Sequence, residues 1–267
     1  MNNGTTKVHE DMEIARQPFS CQRGSLTIRG YVFRKKPGSL PAIIICHGFM
    51  TSQRMVRHYA EFLAGLGWAA FTFDFCGGGI RSISDGKQEE MTVLTEVEDL
   101  KAVIDHVNQR NDVDPKNISL MGCSQGGLVC ALTAARLRDG IKNLILFYPA
   151  FCIPDHARRG RMLFARFDPE NIPEIISHFP MKLGGDYAKA VINMNIYDEI
   201  RGYEGPVLLV HGTCDRIVNV SYARHAREVY RKCRYLEIEG AGHMFTREYD
   251  RKAMKAIEDF LYGTTLP

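Results

Sequence analysis

The sequence predicts an α/β fold, in which a mostly parallel central sheet is flanked by helices and interrupted by one inserted segment. Short, nearly continuous apolar runs bounded by Gly, Pro or Asp recur along the chain, which is typical of strands buried on both faces of a parallel sheet. Helical patterns lie between these runs. The 267 residues are 45% hydrophobic and 24% charged, which excludes a disordered chain and is enough for a core without disulfide or metal support.

The first elements are expected at an antiparallel edge of this sheet. Residues 19–33 contain two short runs in which apolar and polar residues alternate, as in strands with one face exposed to water. The runs predicted as strands of the buried parallel sheet are residues 41–46, 68–73, 118–121, 144–147 and 207–210.

The helices are predicted from apolar residues spaced three and four positions apart. The clearest series is Val93, Val97, Leu100, Ile104 and Val107. The same spacing predicts a last helix through Tyr249, Ala253, Ile257 and Phe260. Alternation of these patterns with the apolar runs indicates βαβ units and therefore a helix-flanked sheet.

Residues 150–203 break this alternation, because they contain no clear strand and four prolines. Structureless segments of this length are uncommon in compact domains unless they are lids or binding elements. We therefore expect residues 1–149 and 204–267 to form a single core domain and residues 150–203 to form an inserted lid over the carboxyl edge of the sheet. The alternative is that residues 150–203 form a helical insertion at the periphery of the fold.

Charge and composition exclude several classes of partner. The formal net charge is +3 without a long basic run, which argues against nucleic acid and anionic lipid. No apolar stretch is long enough to cross a membrane, and residues 1–17 lack the apolar core of a secretion signal, so we expect a cytoplasmic protein. The eight scattered cysteines are expected to be reduced core thiols. The sequence leaves a homodimer open.

No metal or cofactor is expected. The chain has no His-Glu-x-x-His motif and no cysteine pair at ligand spacing. The three glycines at 77–79 follow a predicted strand, but without a phosphate-binding fingerprint they are interpreted as a flexible turn.

The motif that indicates chemistry is Gly-Cys-Ser-Gln-Gly at residues 122–126. It lies between the predicted strand 118–121 and an apolar helix over residues 128–137, which is the setting of a nucleophile elbow. Such a tight turn leaves no room for a Cβ atom two positions on either side of the nucleophile, and Gly122 and Gly126 meet that requirement. A glycine-rich turn without catalysis is the alternative.

The same steric requirement distinguishes between two neighbouring candidate nucleophiles, Cys123 and Ser124. Cys123 would need small residues at positions 121 and 125, and the sequence has Met121 and Gln125 there. Ser124 is therefore the predicted nucleophile.

A serine hydroxyl needs a base, and the base needs a carboxylate to orient it. His243 lies in a glycine-rich loop between the run 235–238 and the last helix, and Asp215 follows the strand 207–210. Both positions are at the carboxyl ends of strands, where active sites of open α/β sheets collect. The chain order Ser124, Asp215, His243 is that of α/β hydrolases. A surface-loop histidine and a turn or helix-capping aspartate are the alternatives.

Acyl transfer also requires backbone N–H groups aimed at the oxyanion. One is expected from Gln125, directly after the nucleophile, and the other from Phe49 in the loop after the strand 41–46. His47, in the same loop, is expected to support the loop rather than to act as a base.

These residues resemble the α/β-hydrolase superfamily and, within it, the bacterial cinnamoyl (feruloyl) esterases, over residues 19–261. The predicted triad specifies only the superfamily. The narrower signals are His47-Gly48-Phe49, residues 84–87 with 90–93 after them, Gln125-Gly126-Gly127, and residues 167–173. The resemblance implies that Ser124, Asp215 and His243 form the triad, that Phe49 and Gln125 donate to the oxyanion, and that the insertion is a small lid that holds the phenolic ring.

Residues 183–187 resemble the lid segment whose tyrosine lies near the aromatic acyl group, so Tyr187 is a candidate substrate contact, with a lid-core tyrosine as the alternative. The chain departs from the family in a longer turn at 77–83 and in a locally basic lid, which contains Arg158, Arg159, Arg161 and Arg166. These arginines are expected in solvent; inside the pocket they would favour a substrate with a carboxylate.

The function predicted from the sequence is therefore a serine esterase that hydrolyses small ester substrates, with aromatic hydroxycinnamate esters favoured. A monoacylglycerol-lipase-like enzyme is one alternative. Another is an aminopeptidase-like enzyme, which would need an acidic group such as Asp155, Glu174 or Asp186 to hold a free amino terminus. A non-catalytic binding protein on the same scaffold is a third.

Overall fold

A computed structural model describes residues 13–263 of the chain. The strands are β1 (Ala15–Arg23), β2 (Leu26–Arg34), β3 (Leu40–Cys46), β4 (Ala69–Phe73), β5 (Val113–Cys123), β6 (Leu144–Phe147), β7 (Arg161–Met162), β8 (Ala165–Arg166), β9 (Ile175–Ser177), β10 (Leu183–Gly184), β11 (Val207–Gly212) and β12 (Cys233–Ile238). The helices are α1 (Arg57–Gly65), α2 (Val93–Asn108), α3 (Gln125–Leu137), α4 (Ile153–Arg158), α5 (Gly185–Lys189), α6 (Ile196–Ile200), α7 (Ser221–Val229) and α8 (Arg247–Leu261).

Eight of the strands form one sheet in the order β1-β2-β4-β3-β5-β6-β11-β12. The pairs β1–β2 and β2–β4 are antiparallel, and the pairs from β4 through β12 are parallel. The predicted mostly parallel sheet with an antiparallel edge is therefore confirmed. Parallel pairing brings the carboxyl ends of β5, β11 and β12 to the same edge of the sheet.

Side chains of the central strands alternate between two separate cores, one on each face of the sheet. In β3, Ile44 packs in the core that contains Leu100 of α2 and Leu128 of α3. Its neighbour Ile43 packs in the core that contains Leu63 of α1 and Ile257 of α8. A strand buried on both faces must be apolar at every position, which explains the unbroken apolar runs.

Helix α2 confirms the predicted apolar series and adds an unexpected feature. It begins at a capping box, in which the Thr95 amide donates to the Thr92 hydroxyl and the Thr92 amide donates to the Thr95 hydroxyl. The whole apolar series is buried. Glu96 and Asp99 are buried on the same helix, although carboxylates are normally exposed.

Residues 150–203 consist of three short helices, α4 to α6, and two small two-stranded sheets, β7–β8 and β9–β10. The sequence did not predict these strands. The apolar side chains Ile153, Met162 and Leu183 pack in the same core as α2 and α3. The segment therefore covers the central domain directly; its role as a lid stays a prediction.

Two smaller predictions need correction. All eight cysteines are free thiols, but Cys214 is exposed rather than part of the core. The glycines 77–79 are buried rather than in an open flexible turn, because backbone and side-chain atoms fill the space a Cβ would need: at Gly79 it would lie 1.9 Å from the Thr51 carbonyl oxygen. Within residues 13–263, none of the helices combines the length and apolar character needed to cross a membrane.

Candidate active site

Ser124 lies at the sharp turn between β5 and α3, with φ of 55° and ψ of −121°. Its amide donates to the Phe147 carbonyl oxygen over 3.0 Å, which ties the turn to the neighbouring strand. A Cβ at Gly122 would lie 2.2 Å from the Gly126 carbonyl oxygen, and one at Gly126 would lie 2.4 Å from the His47 carbonyl oxygen. The turn therefore accepts only glycine at these two positions, as the elbow geometry predicts.

Ser124 and Cys123 differ in environment. Cys123 is fully buried, and burial raises the pKa of its thiol to about 12, so it stays protonated. The Ser124 hydroxyl oxygen lies 3.0 Å from Nε2 of His243. The structure therefore places the serine, and not the cysteine, beside the predicted base.

The three residues of the predicted triad meet at the carboxyl edge of the sheet. Asp215 follows β11 and His243 follows β12, while Ser124 follows β5. His243 donates from Nδ1 to Oδ2 of Asp215 over 2.8 Å, which leaves Nε2 free to accept the hydrogen bond from Ser124. In this geometry a histidine that is oriented by a carboxylate can take the proton of a serine hydroxyl.

Asp215 is surrounded by hydrogen-bond donors. Its Oδ1 accepts the amides of Ile217 and Val218, each over 2.9 Å, and its side chain is fully buried. Burial acts to raise the pKa of Asp215, but hydrogen bonds from His211, His243 and the Val218 amide hold it well below its usual range. Asp215 is therefore ionised and able to stabilise a positive charge on His243.

His211 is a contact of the acid that the sequence analysis missed. Its Nε2 lies 3.2 Å from Oδ2 of Asp215 and 2.9 Å from the Val218 carbonyl oxygen, and its ring is fully buried. The signal was present in the sequence, because His211 ends the strand four residues before Asp215. The two histidines therefore hold one carboxylate oxygen from two sides.

A small cavity of about 60 Å³ opens above Ser124. Its lining is mostly apolar. The lining residues are Phe49, Ser124, Gln125, Ala150, Cys152, Ile153, His156, Met162, Leu163, Leu183, Tyr187, Ile217 and Val218. No residue of this described lining carries a carboxylate.

The two predicted oxyanion donors, Phe49 and Gln125, both line this cavity beside Ser124. Gln125 is the first residue of α3, and the amino end of a helix favours negative charge. His47 supports the loop as expected. Its Nδ1 donates to the Gly48 carbonyl oxygen over 2.9 Å, and its Nε2 accepts the Phe75 amide over 3.2 Å.

Tyr187 lies in α5, lines the cavity and is buried. Its ring centroid is 5.6 Å from that of Phe49, and its hydroxyl donates to Oε1 of Gln125. Gln125 in turn donates from Nε2 to Oε2 of Glu96 over 2.7 Å. The Gln125 side chain is therefore engaged in a buried network, which the sequence did not predict.

The basic residues of the inserted segment are exposed. Arg158 pairs with Asp155 and donates to the carbonyl oxygens of Ile192 and Met194. Arg159, Arg161 and Arg166 are also exposed, and none of the four lines the cavity. The only basic side chain of the inserted segment in the described lining is His156.

The carboxylates considered for an aminopeptidase lie elsewhere. Asp155 accepts the Tyr222 hydroxyl over 2.7 Å, Asp186 pairs with Lys189 over 3.0 Å, and Glu174 is exposed.

A family model described as serine aminopeptidase, S33, matches residues 39–178, just over half of the 267 residues. The chain belongs to this family of α/β hydrolases. The matched range includes Phe49 and Ser124 but ends before Asp215 and His243.

Solved structures agree with this assignment. The hydrolase is 32% identical to Est1E from Butyrivibrio proteoclasticus in a structure with bound ferulic acid, with a TM-score of 0.84, and the match covers 91% of this chain and 98% of that one.

Curated relatives are more distant. The hydrolase is 26% identical to a putative esterase/lipase 2 of Mycoplasma pneumoniae, over 75% of this chain and 81% of the relative. It is 21% identical to human monoacylglycerol lipase ABHD6, over 86% of this chain and 78% of the relative. Together these similarities support an α/β hydrolase related to esterases and lipases.

Proposed function

We propose that the hydrolase is a serine carboxylic-ester hydrolase that acts on hydroxycinnamate or similar aromatic esters. The observation that supports this most is the hydrogen-bonded series Asp215–His243–Ser124, which ends at the base of an apolar cavity. The ring of Phe49 lies against that of Tyr187 in the lining, which suits a flat aromatic acyl group. Est1E, which is similar over nearly the whole chain, binds ferulic acid.

In the proposed reaction, His243 Nε2 takes the proton from Ser124 as the serine oxygen bonds to the ester carbonyl carbon. The carbonyl oxygen becomes an oxyanion that accepts hydrogen bonds from the amides of Phe49 and Gln125. The bond to the alcohol oxygen then breaks, and that oxygen takes the proton from His243. An acyl-enzyme on Ser124 remains.

Water completes the cycle by the reverse roles. His243 takes a proton from the water as its oxygen bonds to the acyl carbon, and Ser124 leaves with that proton. Asp215 stays ionised throughout and stabilises the positive imidazolium. The carboxylic acid and the free enzyme are the products.

The inserted segment 150–203 is proposed as the lid that holds the acyl group, and Tyr187 as a residue that contacts it. Eight of the thirteen lining residues belong to this segment. The apolar lining argues against an aminopeptidase, which needs an acidic group for the substrate amino terminus. The cytoplasmic location and a homodimer stay predictions from the sequence.

The first experiment compares hydrolysis of methyl ferulate, a short p-nitrophenyl ester and a monoacylglycerol, with Ser124→Ala as the control. Ser124-dependent turnover of methyl ferulate with a clear preference over the monoacylglycerol supports the proposal. Preference for the monoacylglycerol would instead favour the lipase-like alternative, in line with the similarity to human monoacylglycerol lipase ABHD6. Turnover of the p-nitrophenyl ester alone would keep the triad but remove the aromatic substrate class.

A further inference from the structure

Three polar side chains form a buried series beneath the cavity. The Tyr187 hydroxyl donates to Gln125, and Gln125 donates to Glu96. Each of the three residues is at most 3% exposed. The proposed reaction uses the backbone amide of Gln125 but none of these side chains. Buried polar networks are costly unless satisfied, and satisfied ones fix a unique arrangement of the groups they join.

Glu96 belongs to a helix that does not touch the cavity. It lies in α2 and accepts the hydrogen bond from the Gln125 side chain. Burial raises the pKa of its carboxyl well above the usual range, and the charge of Asp99 adds to this, while the hydrogen bond from Gln125 acts against it. Arg23, the cation in this region, pairs with Asp99. Burial therefore favours the neutral form of the Glu96 carboxyl group.

The other end of the series reaches the wall, defined as the part of residues 150–203 that lines the cavity. Other polar contacts between residues 150–203 and the core differ in kind. Lys182 pairs with Glu89 over 2.9 Å, and its amide donates to the Gln88 side chain over 3.2 Å, both in solvent-exposed positions. Exposed pairs contribute little to stability. The wall meets the elbow through two hydrogen bonds: the Ala150 amide donates to the Ser124 carbonyl oxygen over 2.9 Å, and the Tyr187 hydroxyl donates to Oε1 of Gln125. The second of these joins two buried side chains.

We propose that Glu96 is a positioning residue, which acts through the Gln125 side chain to hold Tyr187 and so sets the shape of the acyl site. Selectivity for large aromatic acyl groups over short aliphatic ones then depends on a helix that does not contact the substrate. The inference rests on the proposed ester hydrolysis and deepens it. It requires that the oxyanion donor itself, the Gln125 amide, keeps its place at the start of α3 when Glu96 is changed.

The test uses Glu96→Ala, Glu96→Gln and, as a matched control, Leu100→Ala, which removes a buried side chain one turn further along α2. Methyl ferulate and p-nitrophenyl acetate are the two substrates, and kcat and KM are measured separately. Glu96→Ala is expected to raise KM for methyl ferulate about tenfold, as for loss of one buried hydrogen bond, and to change both constants for the acetate by less than about twofold.

Glu96→Gln is expected to restore most of the loss, because an amide oxygen can accept the Gln125 hydrogen bond as a neutral carboxyl does. In combination with Tyr187→Phe, Glu96→Ala is expected to have less than its single effect on methyl ferulate, because both changes break the same series. The control Leu100→Ala is expected to lower stability without changing the ratio between the two substrates.

Ferulic acid binding, measured by titration calorimetry on each variant, keeps the test independent of turnover. An affinity about tenfold lower in Glu96→Ala and close to that of the unchanged protein in Glu96→Gln supports the inference. Equal effects of Glu96→Ala on both substrates, or unchanged ferulic acid affinity, would overturn it while leaving the ester hydrolase in place. Absence of ferulic acid binding by the unchanged protein overturns the inference together with the aromatic substrate class. Absence of any Ser124-dependent ester turnover overturns the proposed function, on which the inference rests.

Discussion

The wall of the cavity and its floor, by which we mean the three loops with Ser124, Asp215 and His243, are built in different ways. Each floor loop follows a strand of the eight-stranded sheet, between two packed cores. The wall consists of two-residue and three-residue strands and short helices. The floor is thus attached directly to strands of the central sheet, whereas the wall is held by packing of its apolar side chains against one face of the core.

This difference indicates that the floor and the wall have different roles. The floor holds the groups that an ester hydrolase needs for any substrate, whereas the wall supplies most of the surface that an acyl group would touch. Changes in the floor are expected to affect all esters alike, and changes in the wall are expected to affect large acyl groups more than small ones. Substitutions in each region can test this difference between floor and wall.

Replacement of the nucleophile should have the largest effect. Ser124→Ala is expected to lower kcat by about 10⁶-fold for aromatic and aliphatic esters alike, because the acyl-enzyme cannot form. Steady-state kinetics on both ester types measure this. Cys123→Ala is the matched control and should keep turnover, since the Cys123 thiol is buried and protonated. A fluorophosphonate that fails to label the unchanged protein at Ser124 would instead support a non-catalytic scaffold.

Replacement of Asp215, the carboxylate of the floor, should have the next largest effect. Asp215→Asn is expected to lower kcat by about 10⁴-fold with both ester types, because an amide can neither select the His243 tautomer nor stabilise its positive charge. Since the pKa of Asp215 is held well below its usual range, its ionisation should add no inflection to the pH–rate profile above about pH 4. An inflection in that range, lost in the variant, would show that the carboxyl titrates during the reaction.

Glu96, which is linked to the wall through Gln125 and Tyr187, should affect how the stability of the protein depends on pH. The pKa of Glu96 is raised in the folded protein, so above about pH 4.5 the folded state binds more protons at this site than the unfolded state. The contribution of Glu96 to stability should therefore fall as pH rises, by up to about 1.4 kcal/mol per pH unit.

Glu96→Gln removes this dependence, because the amide does not titrate. Urea unfolding between about pH 5 and pH 7 should show the variant gaining stability relative to the unchanged protein as pH increases. A difference that stays constant with pH would mean that Glu96 titrates alike in the folded and unfolded states.

A change in the wall should discriminate between substrates. Tyr187→Phe is expected to weaken binding of hydroxylated aromatic esters by about three- to tenfold and that of short aliphatic esters less, because it removes the hydroxyl that orders this part of the lining. KM values for methyl ferulate and a short p-nitrophenyl ester compare the two. Equal effects on both would remove Tyr187 from the substrate site.

The outer surface of the wall should matter least. Arg159→Ala, Arg161→Ala and Arg166→Ala, alone or together, are expected to change kcat/KM for methyl ferulate by less than about twofold, because these side chains are exposed and outside the cavity. A substrate with a free carboxylate provides the sharper comparison. Strong loss for that substrate alone would place an arginine at the pocket mouth.

The same division determines what the sequence could predict. Ser124 stands directly after a strand, and Asp215 and His243 lie in the loops that follow two others. Gly122 and Gly126 mark the elbow by a steric rule that needs no long-range information. Local patterns therefore sufficed to place these residues at one edge of the sheet.

Such local patterns could not predict the short strands of the wall or the hydrogen bonds that link Glu96, Gln125 and Tyr187. Strands of two residues, such as β7 and β10, are too short to show an alternation. Glu96 lies in a helix whose apolar series is clear, and a glutamate in such a helix is ordinarily solvated. It is buried where it accepts a hydrogen bond from Gln125, which in turn accepts one from Tyr187 in a distant part of the chain. Burial of this kind is set by tertiary packing, which periodicity does not report.

The position of β12 has a consequence for how the hydrolase loses activity on heating. His243 follows this strand, which is the outermost of the sheet and is paired on one side only, with β11. Strands at an edge open locally at a lower cost than those at the centre, and they do so without global unfolding. Heating should therefore detach the base from a serine that is still correctly held by β5, so that loss of activity precedes melting of the sheet.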